Sequence, residues 1–190
     1  MSAARFRRAA SVASATDDRS SLPVASCTAS RSPPRRRARR RGRMSRMVEI
    51  SFLAESDRAS WEPLARAKDT YFAVERGDDA YERTWRRLLD DERIRGVAAH
   101  LDGRMVGIAH YLFHASVWYA GKCYLADLFV DPAVRRRGVA TAVIEWVARD
   151  AEEHGFPGLY WNTLEDAPAR ALYDKVGKLH EGLIHYAYRR

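Results

Sequence analysis

The chain has 190 residues, 46% of them hydrophobic, which suffices for one domain of ordinary size with a proper core. Its formal charge of +8 suggests a nucleic-acid partner until it is divided along the chain. Residues 1–46 carry thirteen arginines against Asp17 and Asp18, a net +11; of 33 basic and 25 acidic residues in all, 20 and 23 are left for the remainder, a net −3.

The first 46 residues are too poor in large apolar side chains to bury anything, and disorder is expected there. Three readings of this tail stay open: an organellar transit segment, a nuclear-import or nucleic-acid-binding arm, and a start assigned too early, since Met44 and Met47 stand just before the first strand-like residues. No run of about 18 apolar residues and no apolar signal core occur, so neither a membrane span nor a secretory signal is expected. Cys27 and Cys123 make no disulfide framework, which points to a reducing, cytoplasmic setting.

Residues 48–53 alternate weakly and read as a first strand. Ser56 is a candidate cap for a helix with Trp61, Leu64, Ala65 and Ala67 on one side, running to about Phe72. After the break at Arg76-Gly77-Asp78-Asp79, a second helix places Tyr81, Trp85, Leu88 and Leu89 at helical spacing. Residues 95–101 and 105–116 are two strand runs around an Asp102-Gly103 hairpin signal, and residues 123–130 form the next strand after Ala120-Gly121. Then come a helix over 137–154, a short buried strand over 159–162, a last helix beginning at Asp166 and stopped by Gly177, and a closing strand over 183–188. Strand, helix, strand beside a meander implies a parallel crossover in a mixed sheet.

The chemistry concentrates at residues 128–146. A strand ends at Asp131-Pro132, and Val139, Ala142, Val143, Trp146 and Val147 then fall at helical spacing. Between them lie Arg135, Arg136, Arg137 and Gly138, just where the free backbone N–H groups of a helix N-terminus attract anions. Gly138 allows close backbone approach, and Ala140 keeps the first turn slim. The bland alternative is a solvated basic loop.

Arg135-x-x-Gly138-x-Ala140 resembles the Arg/Gln-x-x-Gly-x-Gly/Ala signature of the GNAT N-acetyltransferase superfamily. The flanking Tyr124-Leu-Ala-Asp127-Leu-Phe-Val-Asp131-Pro132 and Asp166-Ala-Pro-Ala169-Arg-Ala-Leu-Tyr173-Asp-Lys-Val-Gly177 add to it, so that the resemblance covers about 48–188. It is nearest in look to the spermidine/spermine and the fungal histone and polyamine acetyltransferases. The resemblance implies an α/β mixed sheet of the GNAT fold, with six to seven mostly antiparallel strands, a parallel crossover pair and about four flanking helices. It also implies acetyl-CoA as co-substrate. The diphosphate would lie on backbone groups of Arg136, Arg137, Gly138, Val139, Ala140 and Thr141, with Arg135 beside them, and the pantetheine arm would pair with Leu128, Phe129 and Val130. The first two helices would cover the acceptor end.

The resemblance places Tyr173 at the general-acid position, where a phenol of pKa about 10 suits a departing thiolate; the bland reading is a core aromatic. Asp127, on a strand in phase with Cys123, Leu125 and Phe129, is a carboxylate among apolar neighbours, costly unless it has a partner or a task. It is assigned to the acceptor amine, as anchor and candidate base through water, against the alternative of a structural Asp at a bulge. The related enzymes have a Glu-Asp pair here, and Ala126 replaces the Glu, which weakens a polyamine acceptor. Asp166 stands where the family commonly has Asn, so its contact to the CoA arm is in doubt and a plain N-cap is the alternative. Glu165 is a rival base. His110 and His114, four strand residues and about 13 Å apart, are too far apart to share a metal ion, and no metal is expected; they read as surface or cleft histidines.

The reading is an acetyl-CoA-dependent N-acetyltransferase acting directly on a primary amine, whether a polyamine, an amino acid or a lysine-like side chain, in a ternary complex. The domain spans 47–190. Partners are a small-molecule or lysine-like acceptor and no membrane; nucleic acid is not expected to bind the folded part, and a homodimer is compatible. The rivals are a nucleic-acid-binding module working through the tail and a non-catalytic acyl-CoA sensor.

Overall fold

The computed structural model describes residues 47–118, 120–182 and 188. The tail of residues 1–46 and most of the closing strand expected over 183–188 lie outside them. Five strands, β1 (Val48–Phe52), β2 (Ile94–Leu101), β3 (Arg104–His114), β4 (Lys122–Val130) and β5 (Gly158–Tyr160), form one sheet in chain order. β1 to β4 are antiparallel neighbours, and β5 joins β4 in parallel after the crossover helix. Among the described residues the sheet thus has five strands, against the six to seven expected.

Helices α1 (Arg58–Tyr71) and α2 (Asp78–Asp90) cover one face. There Trp61, Ala65, Tyr81, Trp85 and Leu88 pack on Ala98, Ile108 and Phe129. Helix α3 (Val139–Glu153) covers the other, with Val139, Val143, Val147 and Ala151 against Val97, Ala99, Tyr111, Phe113 and Leu125. Val143 and Val147 are wholly buried, each worth about 1.5–3 kcal/mol. Asp150 also faces this core, where it takes the Arg95 guanidinium at 2.9 and 3.1 Å and the Tyr111 hydroxyl at 2.6 Å, tying α3 to the sheet through a satisfied polar group.

Two helix starts and one buried face differ from the expectation. Ser56 lies in a 3-10 turn, and Asp57 is the N-cap of α1. The spacing around Tyr81 holds for Trp85 and Leu88, while Leu89 faces solvent. Helix α4 (Arg170–Val176) begins four residues after Asp166, with Ala169 at its N-cap. Asp166 is therefore an exposed turn residue and not a cap.

Candidate active site

The loop from β4 to α3 has the shape the glycine and arginines suggested. Asp131 opens it, accepting the Ala133 N–H at 2.9 Å and the Arg104 guanidinium at 3.1 Å, contacts that hold its carboxyl below the usual range. Arg136 and Gly138 both adopt positive φ, 63° and 82°, so the chain changes hand twice before the helix begins. Gly138 is the α3 N-cap, and a Cβ built on it would meet no protein atom within 4 Å. Arg136 and Arg137 are exposed and pair with no carboxylate among the described residues. Arg135 instead folds back, its Nε donating to the Val130 carbonyl at 3.3 Å and its guanidinium lying 5.3 Å from the Tyr71 ring centroid. Val139 turns its side chain into the core. The cradle suits an anionic diphosphate on backbone N–H groups with Arg136 and Arg137 beside it.

Next to this cradle the sheet parts. β5 pairs with β4 only at Lys122, Cys123 and Tyr124, so the β4 edge over 125–130 is not paired to β5. Over Leu128, Phe129 and Val130 the backbone groups alternate, those of Phe129 turned to β3 and those of Leu128 and Val130 to the edge away from it, where an extended acyl-carrying arm could add as a strand.

Asp127 is oriented by a bulge. His110 pairs with Asp127 but Tyr111 pairs with Leu125, so one extra β4 residue, the exposed Ala126, intervenes. Cys123 and Leu125 face the α3 core, whereas Asp127 and Phe129 face α1 and α2. The expected common phase of Cys123, Leu125, Asp127 and Phe129 is thus broken at Ala126. The Cys123 thiol, buried and pushed up to about 12, belongs to the core.

On the α1 side Asp127 has two partners, the Lys68 ammonium at 2.9 Å from Oδ1 and His110 Nδ1 at 3.1 Å from Oδ2. His110 Nε2 lies 2.8 Å from the Trp61 indole nitrogen, which can only donate, so the ring proton sits on Nδ1 and points at Asp127. Burial alone would raise the Asp127 carboxyl, but His110 and Lys68 outweigh it and hold it well below the usual carboxylate range. Of the two histidines expected at the surface or in the cleft, His110 is buried beside Asp127, and His114 lies at the β5 edge, with Nε2 3.1 Å from the Tyr160 hydroxyl. Lys68 also reaches Asp69 at 3.3 Å, and Asp69 takes Arg76 at 3.1 Å and the Tyr81 hydroxyl at 2.9 Å.

Tyr173 lies half-buried on α4 with its ring 5.3 Å from that of Trp161, and burial raises its phenol. No described group hydrogen-bonds its hydroxyl. Trp161 is held in turn by Gly177, where a Cβ would come within 2.9 Å of the indole. Glu165 and Asp166 are exposed in the turn before α4, and the Glu165 carbonyl accepts from Arg170 at 2.7 Å. Sequence reading missed Lys68 and Trp61, which looked like ordinary helix residues, and Trp161, which carried no motif.

The acetyltransferase (GNAT) family profile matches residues 60–177, well over half of the chain. The chain belongs to the GNAT family. It is accordingly an acyltransferase, and GNAT enzymes use acetyl-CoA. The D-amino-acid N-acetyltransferase HPA3 of Saccharomyces cerevisiae is 28% identical over 134 residues, 68% of this chain and 83% of the relative. The thialysine N-epsilon-acetyltransferase of Caenorhabditis elegans is 27% identical over 92 residues, 48% of this chain and 58% of the relative. Among solved structures, the ribosomal-protein-alanine N-acetyltransferase of Brucella melitensis biovar Abortus 2308 superposes with a TM-score of 0.65 at 25% identity, over 76% of this chain and 99% of the other. The mixed sheet with its parallel β4–β5 pair and four helices is a GNAT-like fold. No helix among the described residues is long and apolar enough to cross a membrane.

Proposed function

We propose that this GNAT enzyme acetylates the primary amine of a small acceptor, amino-acid-like or polyamine-like, by direct attack on acetyl-CoA. The observation that carries the reading is the parting of β4 and β5 after Tyr124, which puts a free strand edge between the Gly138 cradle and Asp127. The edge and cradle suit the two halves of the donor, with Leu128, Phe129 and Val130 along the arm, Asp166 as a side-chain contact to that arm, and backbone groups of Arg136 to Thr141 on the diphosphate. A backbone N–H near Leu128 is the donor to the carbonyl oxygen as charge develops there.

The acceptor nitrogen forms a bond to the acetyl carbon as the carbon–sulfur bond breaks. Tyr173 gives its phenolic proton to the leaving sulfur, and the proton lost by the amine goes to water. Asp127 acts on the amine as an electrostatic anchor. A depressed carboxyl is a poor proton acceptor, so its charge is its contribution. A free lysine-like amine has pKa about 10.4, so reaching its neutral form at pH 7 costs roughly 4 kcal/mol. The relatives acting on D-amino acids and on thialysine support an acceptor of amino-acid type. The domain is taken as residues 47–190, with 1–46 an appended tail.

A panel of amines supplied with acetyl-CoA tests this. Thiol release with an acetylated amine detected by mass is expected; thiol release without any acetylated amine would reject the reading.

A further inference from the structure

We propose that Lys68 sets the acceptor preference of this site by cancelling the charge of Asp127, so that a zwitterionic, single-amine acceptor is taken in preference to a polycation. The inference rests on the acetyl-transfer reading above and names its substrate class.

Lys68 is almost fully buried, with its ammonium 2.9 Å from Asp127 and 3.3 Å from Asp69. Asp69, also buried, pairs with Arg76 at 3.1 Å. Tyr81 donates its hydroxyl to Asp69, and His110 stands between Asp127 and the Trp61 indole. The cations Lys68 and Arg76 thus face the carboxylates Asp69 and Asp127. Asp127 is the carboxylate that reaches the opening, with 33% of its side chain exposed against 5% for Asp69.

A polyamine is held by surplus negative charge spaced along its length, since each of its nitrogens arrives as a cation. Here the surplus at Asp127 is spent on Lys68. The exposed Ala126 beside it adds none. An acceptor whose single ammonium is offset by its own nearby carboxylate brings no net charge to a site whose Asp127 is already balanced by buried Lys68.

The experiment compares kcat/KM for D-alanine and for spermidine, at low and high salt, in the full chain and in Lys68→Gln, Lys68→Arg and Ala126→Glu. The parent is expected to prefer D-alanine. Lys68→Gln should move the ratio toward spermidine by tenfold or more, mainly through KM and more strongly at low salt, and Lys68→Arg should restore it. Ala126→Glu adds a negative charge at an exposed position without touching the buried pair, and should move the ratio the same way. A parent that prefers spermidine overturns the proposal, as does an unchanged ratio in Ala126→Glu or in a Lys68→Gln chain that binds acetyl-CoA as the parent does. If the parent binds acetyl-CoA but acetylates no amine at all, the acetyl-transfer reading itself falls, and this inference with it.

Discussion

A group meant to hold a cation must stay ionised wherever the enzyme works, and the surroundings of Asp127 secure that. With its carboxyl held well below the usual range by His110 and Lys68, Asp127 does not titrate between pH 5 and 9. The acid limb of the activity profile should therefore keep its midpoint in Asp127→Asn, while the acceptor KM rises by about tenfold or more; an acid limb that moves in the variant would make Asp127 the base after all. Stability has its own sign. An unfolded Asp titrates near pH ~3.9, so the folded state binds fewer protons than the unfolded one below that value. The stabilisation from the Asp127 pair is complete above about pH 5 and lost as pH falls through the lower folded value. The parent should therefore exceed Asp127→Asn in stability at pH 7, and the gap should narrow on acidification in a denaturant titration. Tyr173→Phe keeps the ring against Trp161 and removes only the proton. Its kcat should fall by about 10² or more with acetyl-CoA affinity unchanged; turnover at the parental rate would make Tyr173 a packing residue. Residue types at motif spacing singled out Asp127, Tyr173 and Gly138 as candidates in the sequence. Lys68 was not legible there, because a lysine on an amphipathic helix looks solvated until the strand opposite it is known.

At the scale of elements, apolar periodicity located the four helices of the described residues and the Asp102-Gly103 turn located the hairpin, since both are local properties of the sequence. The bulge at Ala126 was not local. It depends on how β4 registers against β3, and its effect was to turn Asp127 from the α3 core toward α1. Two elements depend on single glycines. Gly138 has φ 82° with open space around its Cβ position, and Asn tolerates the left-handed region better than other side chains do. Gly138→Asn should keep most of the stability yet lose acetyl-CoA affinity by about tenfold or more, because its side chain enters the cradle; calorimetry showing parental affinity would remove the diphosphate from this loop. Gly177 is extended and unstrained, but a methyl there would press on Trp161, which leans on Tyr173. Gly177→Ala should lower kcat with little change in acetyl-CoA affinity, since small misplacements of a reacting group cost up to about 10².

The whole molecule sets charge against charge along the chain, with +11 on residues 1–46 and −3 on the rest. All the chemistry argued above lies in the second part, and the family match begins only at residue 60. The first strand is β1, whose Val48–Phe52 pairs throughout with β2, so a chain beginning at Met47 keeps every strand and helix that builds the site. Such a chain should acetylate small amines with the parental kcat and KM. Binding to nucleic acid is a different matter, because the thirteen arginines of residues 1–46 supply the charge that phosphate neutralisation and counterion release require. If the full chain is retained on DNA at low salt, the retention should fall steeply as salt rises and vanish in the chain from Met47, leaving acetyl transfer intact. Loss of turnover on free amines in the shorter chain would instead mean that residues before Met47 belong to the catalytic unit, and that the basic segment serves the reaction rather than accompanying it.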